Sequence, residues 1–309
     1  MSAVVTPSRT RRPAAVTSGA PRASGAPSRG RNVVVLYAVM ALMIVYYLLP
    51  VWWLAVNATK SNADLYTSSA LWFGGQNVLV DNVVATFTED GGAFARWLLN
   101  TVLYTVGGGI GSLVVSALAG YGFAKYDFPG KRLVFAGLLG VMMIPLTALV
   151  IPQYLLMSTV GLVNTPWAVI IPSMLNPFAV YLIRVFAQDA VPDELLEAAR
   201  LDGASELRAF RSVALHILRP ALATVLVFSL VGVWNNYFLP LLMLSDSRLY
   251  PITVGLADWY ARAEATAGAS TPLFNLVITG SLIALVPLVV AFLALQRHWV
   301  GGLTLGSVR

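Results

Sequence analysis

The chain has no cysteine, which excludes disulfides, thiol catalysis and cysteine-based metal sites. Charge is almost as scarce: Lys, Arg, Asp and Glu make up 11% of the 309 residues, against roughly 25% in soluble globular chains. So few charges cannot cover a water-facing surface. Histidine occurs only at His216 and His298, with no cluster of acids or nucleophiles to work with either. No GxxxxGK[ST] phosphate loop occurs, so ATP is not bound by that motif. The expectation is a chain with no catalytic site, no metal site, no cofactor of its own and no nucleic-acid partner.

What is present is apolar. Hydrophobic residues make up 58% of the chain and the mean hydropathy is +0.75. A helix needs about 20 residues to cross a bilayer. Uncharged segments of that order predict an all-α integral membrane protein with six spans, near 33–56, 98–124, 133–156, 166–184, 221–244 and 274–295. Trp52 and Trp53 at the end of the first suit a membrane interface. The stretch 133–183 runs 51 residues without a charge, about twice one crossing. The turn signal Asn164-Thr165-Pro166 divides it.

Lysine and arginine set the expected direction. Residues 1–32 hold six arginines and no acid among Pro, Ser, Ala and Gly, the composition of a disordered tail. Such an Arg- and Ser-rich leader resembles a transit peptide, but four prolines break any amphipathic helix in it. Binding of anionic lipid headgroups suits such a tail, and a solvated tail that holds the N-terminus in the cytoplasm suits it better. With the N-terminus inside, inner segments carry sixteen Lys and Arg and outer segments four, or ten against four without the tail. Both termini are therefore expected in the cytoplasm.

Arg184, at an expected cytoplasmic end where it can snorkel, is the one ionisable residue inside these spans. Proton-driven carriers need such a group at depth, whereas sodium coupling through backbone carbonyls is not excluded. A secondary carrier of an uncharged polar solute therefore stays open as an alternative. Pro145, Pro152, Pro172, Pro177, Pro240 and Pro287 lie within spans and bend them. Gly108, Ser112, Ser116 and Gly120 form a small-residue ladder suited to close helix packing. Gln153, Asn176, Asn235 and Asn236 are uncharged hydrogen-bonding groups near or within the membrane. Each bonds either a neighbouring helix or a solute, and together they are the candidate substrate path.

The longest ordered inner segment contains Pro192-Asp193-Glu194-Leu195-Leu196-Glu197-Ala198-Ala199-Arg200-Leu201-Asp202-Gly203. Proline and acids start a helix here, Ala and Leu propagate it, and Gly203 can stop it in a left-handed turn. Residues 204–215 form a second helix. The small face at Ala198 and Ala199 suits either close docking of a partner or an ordinary amphipathic interfacial loop.

Glu197-Ala198-Ala199, followed by Gly203, resembles the EAA signature of binding-protein-dependent ABC importer permeases. Val213, Leu215 and Pro220 fit the pattern that follows, while His216 stands where that family usually has proline. The Asn100-Thr101-Val102 to Tyr121-Gly122-Phe123-Ala124-Lys125 stretch and Phe128-Pro129-Gly130-Lys131-Arg132 resemble the start of its transmembrane module. Trp234-Asn235-Asn236-Tyr237-Phe238 and the ending from Gln296-Arg297 to Arg309 resemble the carbohydrate branch, in particular the maltose-type second permease. The resemblance implies a type-1 importer fold with a permease domain at 95–296 and an EAA loop at 186–219. Around these lie a first helix at 33–56, an extracytoplasmic segment at 57–94 and a cytoplasmic tail at 297–309 that reaches towards the ATPases. It implies plasma-membrane localisation, sugar as cargo, and coupling through Glu197, Ala198, Ala199, Asp202 and Gly203. The implied partners are a second homologous permease, a cytoplasmic ATPase dimer that holds ATP and Mg, and an extracytoplasmic solute-binding protein.

Overall fold

A computed structural model describes residues 29–265 and 273–303, with side chains for 33–265 and 273–294. The tail 1–32 lies outside the described residues except for its last four, as does the tail 297–309 beyond residue 303. The described residues are helical, with no strand among them.

The chain divides into two compact units, residues 1–49 and 50–309. Helix α1 (Arg29–Ala58) runs across that boundary and carries Pro50. Its side chains between Val33 and Leu49 are exposed and apolar, a face that water does not favour and lipid does.

In the second unit, α2 (Asn62–Thr67) begins at Ser61, whose side chain accepts from the Asp64 amide. Helix α3 (Leu79–Lys125) is the hub and packs against the helices around it. It is broken at Glu89–Gly92, where Asp90, Gly91 and Gly92 all have positive φ. Asp90 accepts there from Trp259 Nε1 at 2.8 Å and pairs with Arg262. The expected span at 98–124 is thus the second part of a longer helix.

Helices α4 (Lys131–Met142) and α5 (Leu146–Thr159) meet at a 112° bend before Pro145. The expected span at 133–156 is a broken pair, not one rod. Proline removes a donor and pushes the preceding residue out of the helical region. Helices α6 (Trp167–Ser173) and α7 (Pro177–Ala190) follow the turn at Asn164. Asn164 sits at φ 59°, and its side-chain oxygen accepts from the amides of Ser245 and Asp246.

Helix α7 continues to Ala190, so Arg184 lies within it rather than at its end. The Arg184 guanidinium stacks 3.8 Å from the centre of the Phe135 ring. The loop helices α8 (Asp193–Leu201) and α9 (Glu206–Ala209) lead into a π-helical turn at Phe210–Ala214 and α10 (Leu215–Ile217). The second loop helix expected at 204–215 is thus a continuous helical run from Glu206 to Ile217 with a π-turn inside it. Helix α11 (Arg219–Trp234) leaves at 81° with Pro220 in its first turn.

The fifth expected span, 221–244, is also divided: α11 ends at Trp234, and α12 (Phe238–Met243) begins after Asn235, Asn236 and Tyr237. Helices α13 (Ile252–Ala265) and α14 (Leu273–Leu303) complete the described chain. Among the described residues, four helices are long and apolar enough to cross a membrane, or six when each of the two bent pairs counts as one span.

The small-residue ladder packs as its spacing predicts. A Cβ on Gly108 would lie 2.8 Å from Ser173 Cβ, and one on Gly120 2.7 Å from Ile183. Ser112 and Ser229 hydroxyls meet at 3.1 Å between α3 and α11. Each contact brings two backbones close where a larger side chain would hold them apart.

Candidate functional site

Three helix breaks face one another and leave a cavity of about 560 Å³. Gln153 reaches it from α5, Asn176 from the α6–α7 break, and Asn235 and Asn236 from the α11–α12 break. All four residues of the candidate substrate path therefore line the same space.

Local chemistry explains why the asparagines sit at breaks. Asn176 Oδ1 accepts from the Ala179 amide at 3.1 Å and caps α7, with Pro177 in the first turn. Asn236 Oδ1 plays a weaker form of that role towards the Leu239 amide at 3.4 Å. Asn235 Nδ2 donates to the Val231 carbonyl at 3.0 Å. Each amide thus spends one atom on the backbone and keeps the other. Gln153 makes no side-chain hydrogen bond among the described residues, and its whole amide is free for a solute.

Phe228, Tyr237 and Phe238 add aromatic surface, and Thr147, Ser173 and Ser229 add hydroxyls. A mainly apolar wall with a few placed polar groups is the usual make-up of a small-molecule site. It suits an uncharged, hydroxyl-rich solute, which offers donors and acceptors on its edge and C–H groups on its faces. Thr147, Ser173, Phe228 and Ser229 do not stand out in the sequence, because aromatics and hydroxyls are common on apolar helices, whereas Tyr237 and Phe238 belong to the Trp234–Phe238 motif.

The second candidate region is the loop around α8. Its first turn carries Asp193 and Glu194 and its last turn Arg200, each favourable to the helix dipole. It ends in a Schellman turn: the Gly203 amide donates to the Arg200 carbonyl at 3.0 Å and the Ala204 amide to Ala199 at 2.9 Å. Gly203 has φ +80°, the left-handed conformation that turn requires.

Inside, Leu196 is buried with Ala187, Val191, Ala209, Phe210 and Ala214, and Ala199 packs against the same cluster. The small face expected at Ala198 and Ala199 is therefore split: Ala198 points out and Ala199 in. Glu194, Glu197, Ala198, Leu201 and Asp202 form the exposed side. Leu201 is 89% exposed and Leu207 62%, so two apolar knobs project, the second beside Arg208 and Arg211.

Two residues at the end of α3 hold this loop. Lys125 Nζ donates to Asp193 Oδ1 at 2.7 Å and to the Val191 carbonyl at 2.6 Å. The Tyr126 hydroxyl donates to Glu206 Oε2 at 2.7 Å, and Arg200 Nε to Glu206 Oε1 at 2.7 Å. Burial, and next the neighbouring Glu206, push the Tyr126 hydroxyl well above the ordinary phenol range, so it stays a donor. His216 is exposed on α10, and the turn back into α11 is made at Leu218 and Pro220.

A family described as "Binding-protein-dependent transport system inner membrane component" matches residues 112–300. The arabinooligosaccharides transport system permease protein AraQ of Halalkalibacterium halodurans is 32% identical over 274 residues, covering 88% of this chain and 94% of its own. The lactose transport system permease protein LacG of Rhizobium radiobacter is 30% identical over 276 residues, covering 89% and 96%. Among solved structures, one chain of a bacterial ABC transporter involved in import of the acidic polysaccharide alginate superposes with a TM-score of 0.75. It is 21% identical and covers 89% of this chain and 99% of its own, a likeness of fold.

Proposed function

Because the chain belongs to the family of binding-protein-dependent transport system inner membrane components, we propose that it is the permease subunit of an ATP-driven importer of a sugar or sugar derivative. It is a multi-pass membrane protein and a transport subunit, not an enzyme. On this reading it pairs with a second homologous permease, two cytoplasmic ATPase subunits and an extracytoplasmic solute-binding protein within the lipid of the plasma membrane. ATP and Mg belong to the ATPase subunits.

The observation that carries the proposal is the convergence of four amides and three aromatic rings on one cavity inside an apolar helical protein. The relatives named above are permeases for arabinooligosaccharides and lactose. Closure of the ATPase dimer would displace α8, and the permease pair would alternate between inward- and outward-facing states around the cavity. Breaks at the cavity suit this, since short helical segments reorient more readily than a continuous rod.

Gln153→Leu tests the cavity. Leucine matches glutamine in helix propensity and removes an amide with no protein partner, so the protein level in the membrane should not change. The apparent Km for the transported sugar should rise about three- to tenfold, the worth of one neutral hydrogen bond. Unchanged uptake kinetics would remove Gln153 from the path. Ala198→Glu tests the docking face, at a cost to the helix of only a few tenths of a kcal/mol, or about that. The ATPase should no longer co-purify with this variant in detergent. Normal retention with normal uptake would contradict docking at α8.

A further inference from the structure

The loop helix α8 is tied to the rest of the protein by polar contacts at both of its ends, and both ties run to consecutive residues. Its first residue, Asp193, pairs with Lys125 at 2.7 Å, where the Lys125 side chain is 6% exposed. Its last turn reaches Tyr126 through Arg200 and Glu206. Between these points, contact with the rest of the protein is through the apolar side chains of Leu196 and Ala199, which set no register. Tyr126 is fixed in turn by Tyr121, with ring centroids at 5.8 Å, and Tyr121 by Phe210 at 4.8 Å.

From Lys125 the chain runs without interruption along α3. Gly108 lies seventeen residues back, about 25 Å along a helix. There α3 presses on the cavity wall itself: Gly108 meets Ser173 and Val233, and Ser112 bonds Ser229. Ser173, Ser229 and Val233 all line the cavity. One rigid element therefore has the loop at one end and the cavity wall at the other.

We propose that Lys125 and Tyr126 are the positioning residues of coupling, a two-point grip that makes α3 follow every displacement of α8 and carries it to the cavity wall. The proposal rests on the reading of α8 as the ATPase-facing helix. A single tie would allow α8 to pivot about it. Two ties, one at each end of the helix, convert translation and tilt of α8 alike into movement of α3.

The test compares Tyr126→Phe, Lys125→Met, their double variant and Lys125→Arg in the assembled complex. Phenylalanine keeps the ring packing against Tyr121, and neither position lies on the exposed face of α8. Three quantities are read: ATPase retention in detergent, the apparent Km for the sugar, and sugar imported per ATP hydrolysed. The double variant should retain the ATPase and the wild-type Km while import per ATP falls about fivefold or more. Lys125→Arg, which preserves the charge, should remain near wild type. Unchanged import per ATP in the double variant would overturn the proposal. So would a loss of ATPase retention in step with import, since the grip would then be part of docking. Failure of the underlying reading looks different: the wild-type chain itself would neither hold an ATPase nor need ATP.

Discussion

Gly203 sits at φ +80° with no atom within 4 Å of where a Cβ would lie, so the backbone alone demands glycine there. The cost of replacing it should follow left-handed tolerance. Asn is mild, Ala costs about 1–2 kcal/mol, and β-branched Val costs more. Uptake should fall in the order Asn, Ala, Val while membrane insertion persists; equal uptake by Val and Asn would refute the turn as the cause. Gly255 is the opposite case, since a Cβ would overlap the Trp97 ring. Gly255→Ala should lower stability by about 1–3 kcal/mol through overpacking, read by thermal denaturation in detergent. Gly122, with no atom within 4 Å, supplies the control, and Gly122→Ala should not destabilise. The first of these glycines was legible in the sequence because a helix stop has a local signature. Gly255 was not, because its reason is a tryptophan more than 150 residues away. Lys60 is a second illegible case. One of the four cations of the expected outer segments, it is fully buried, with its ammonium donating to Asn57 Oδ1 and the Ser69 carbonyl.

Among elements, the spans were legible and their breaks were not. Runs of uncharged residues locate a crossing, but an all-round apolar helix has no polar face whose periodicity would betray an interruption. Proline gave partial notice: Pro145 and Pro177 stand at breaks, whereas Pro50, Pro152 and Pro287 lie within continuous helices. The decisive partner at the α6–α7 break is Asn176, which both caps α7 and lines the cavity. Substitution separates the two roles. Asn176→Ser retains a capping oxygen, so stability should hold while the Km for sugar rises, because the free Nδ2 is gone. Asn176→Ala should show the same change in Km and lose about 1 kcal/mol in addition. Equal stability of the two variants would mean the cap contributes nothing, and an unchanged Km in both would take Asn176 out of the substrate path.

For the whole molecule, the excess of Lys and Arg in alternate segments predicts that both termini and the α8 loop face the cytoplasm. A reporter active only in the cytoplasm should work when inserted between α3 and α4 and be silent between α2 and α3; the reverse would invert the molecule and put α8 out of reach of any ATPase. This proposed organisation rests on charge asymmetry and the EAA-like motif, which are properties of sequence alone. Gln153, Asn176, Asn235 and Asn236 were legible as a group, but the facing of the α6–α7 and α11–α12 breaks against α5 that brings them to one cavity was not. The central claim is that ATP bound by partner subunits drives a sugar through this chain. The most direct measurement reconstitutes the chain with its companion permease, ATPase and solute-binding protein in proteoliposomes and follows labelled sugar. Transport should require ATP and Mg on the α8 side and the binding protein on the other, and should be indifferent to proton and sodium gradients. Accumulation driven by either ion gradient without nucleotide would contradict the account and identify a secondary carrier instead.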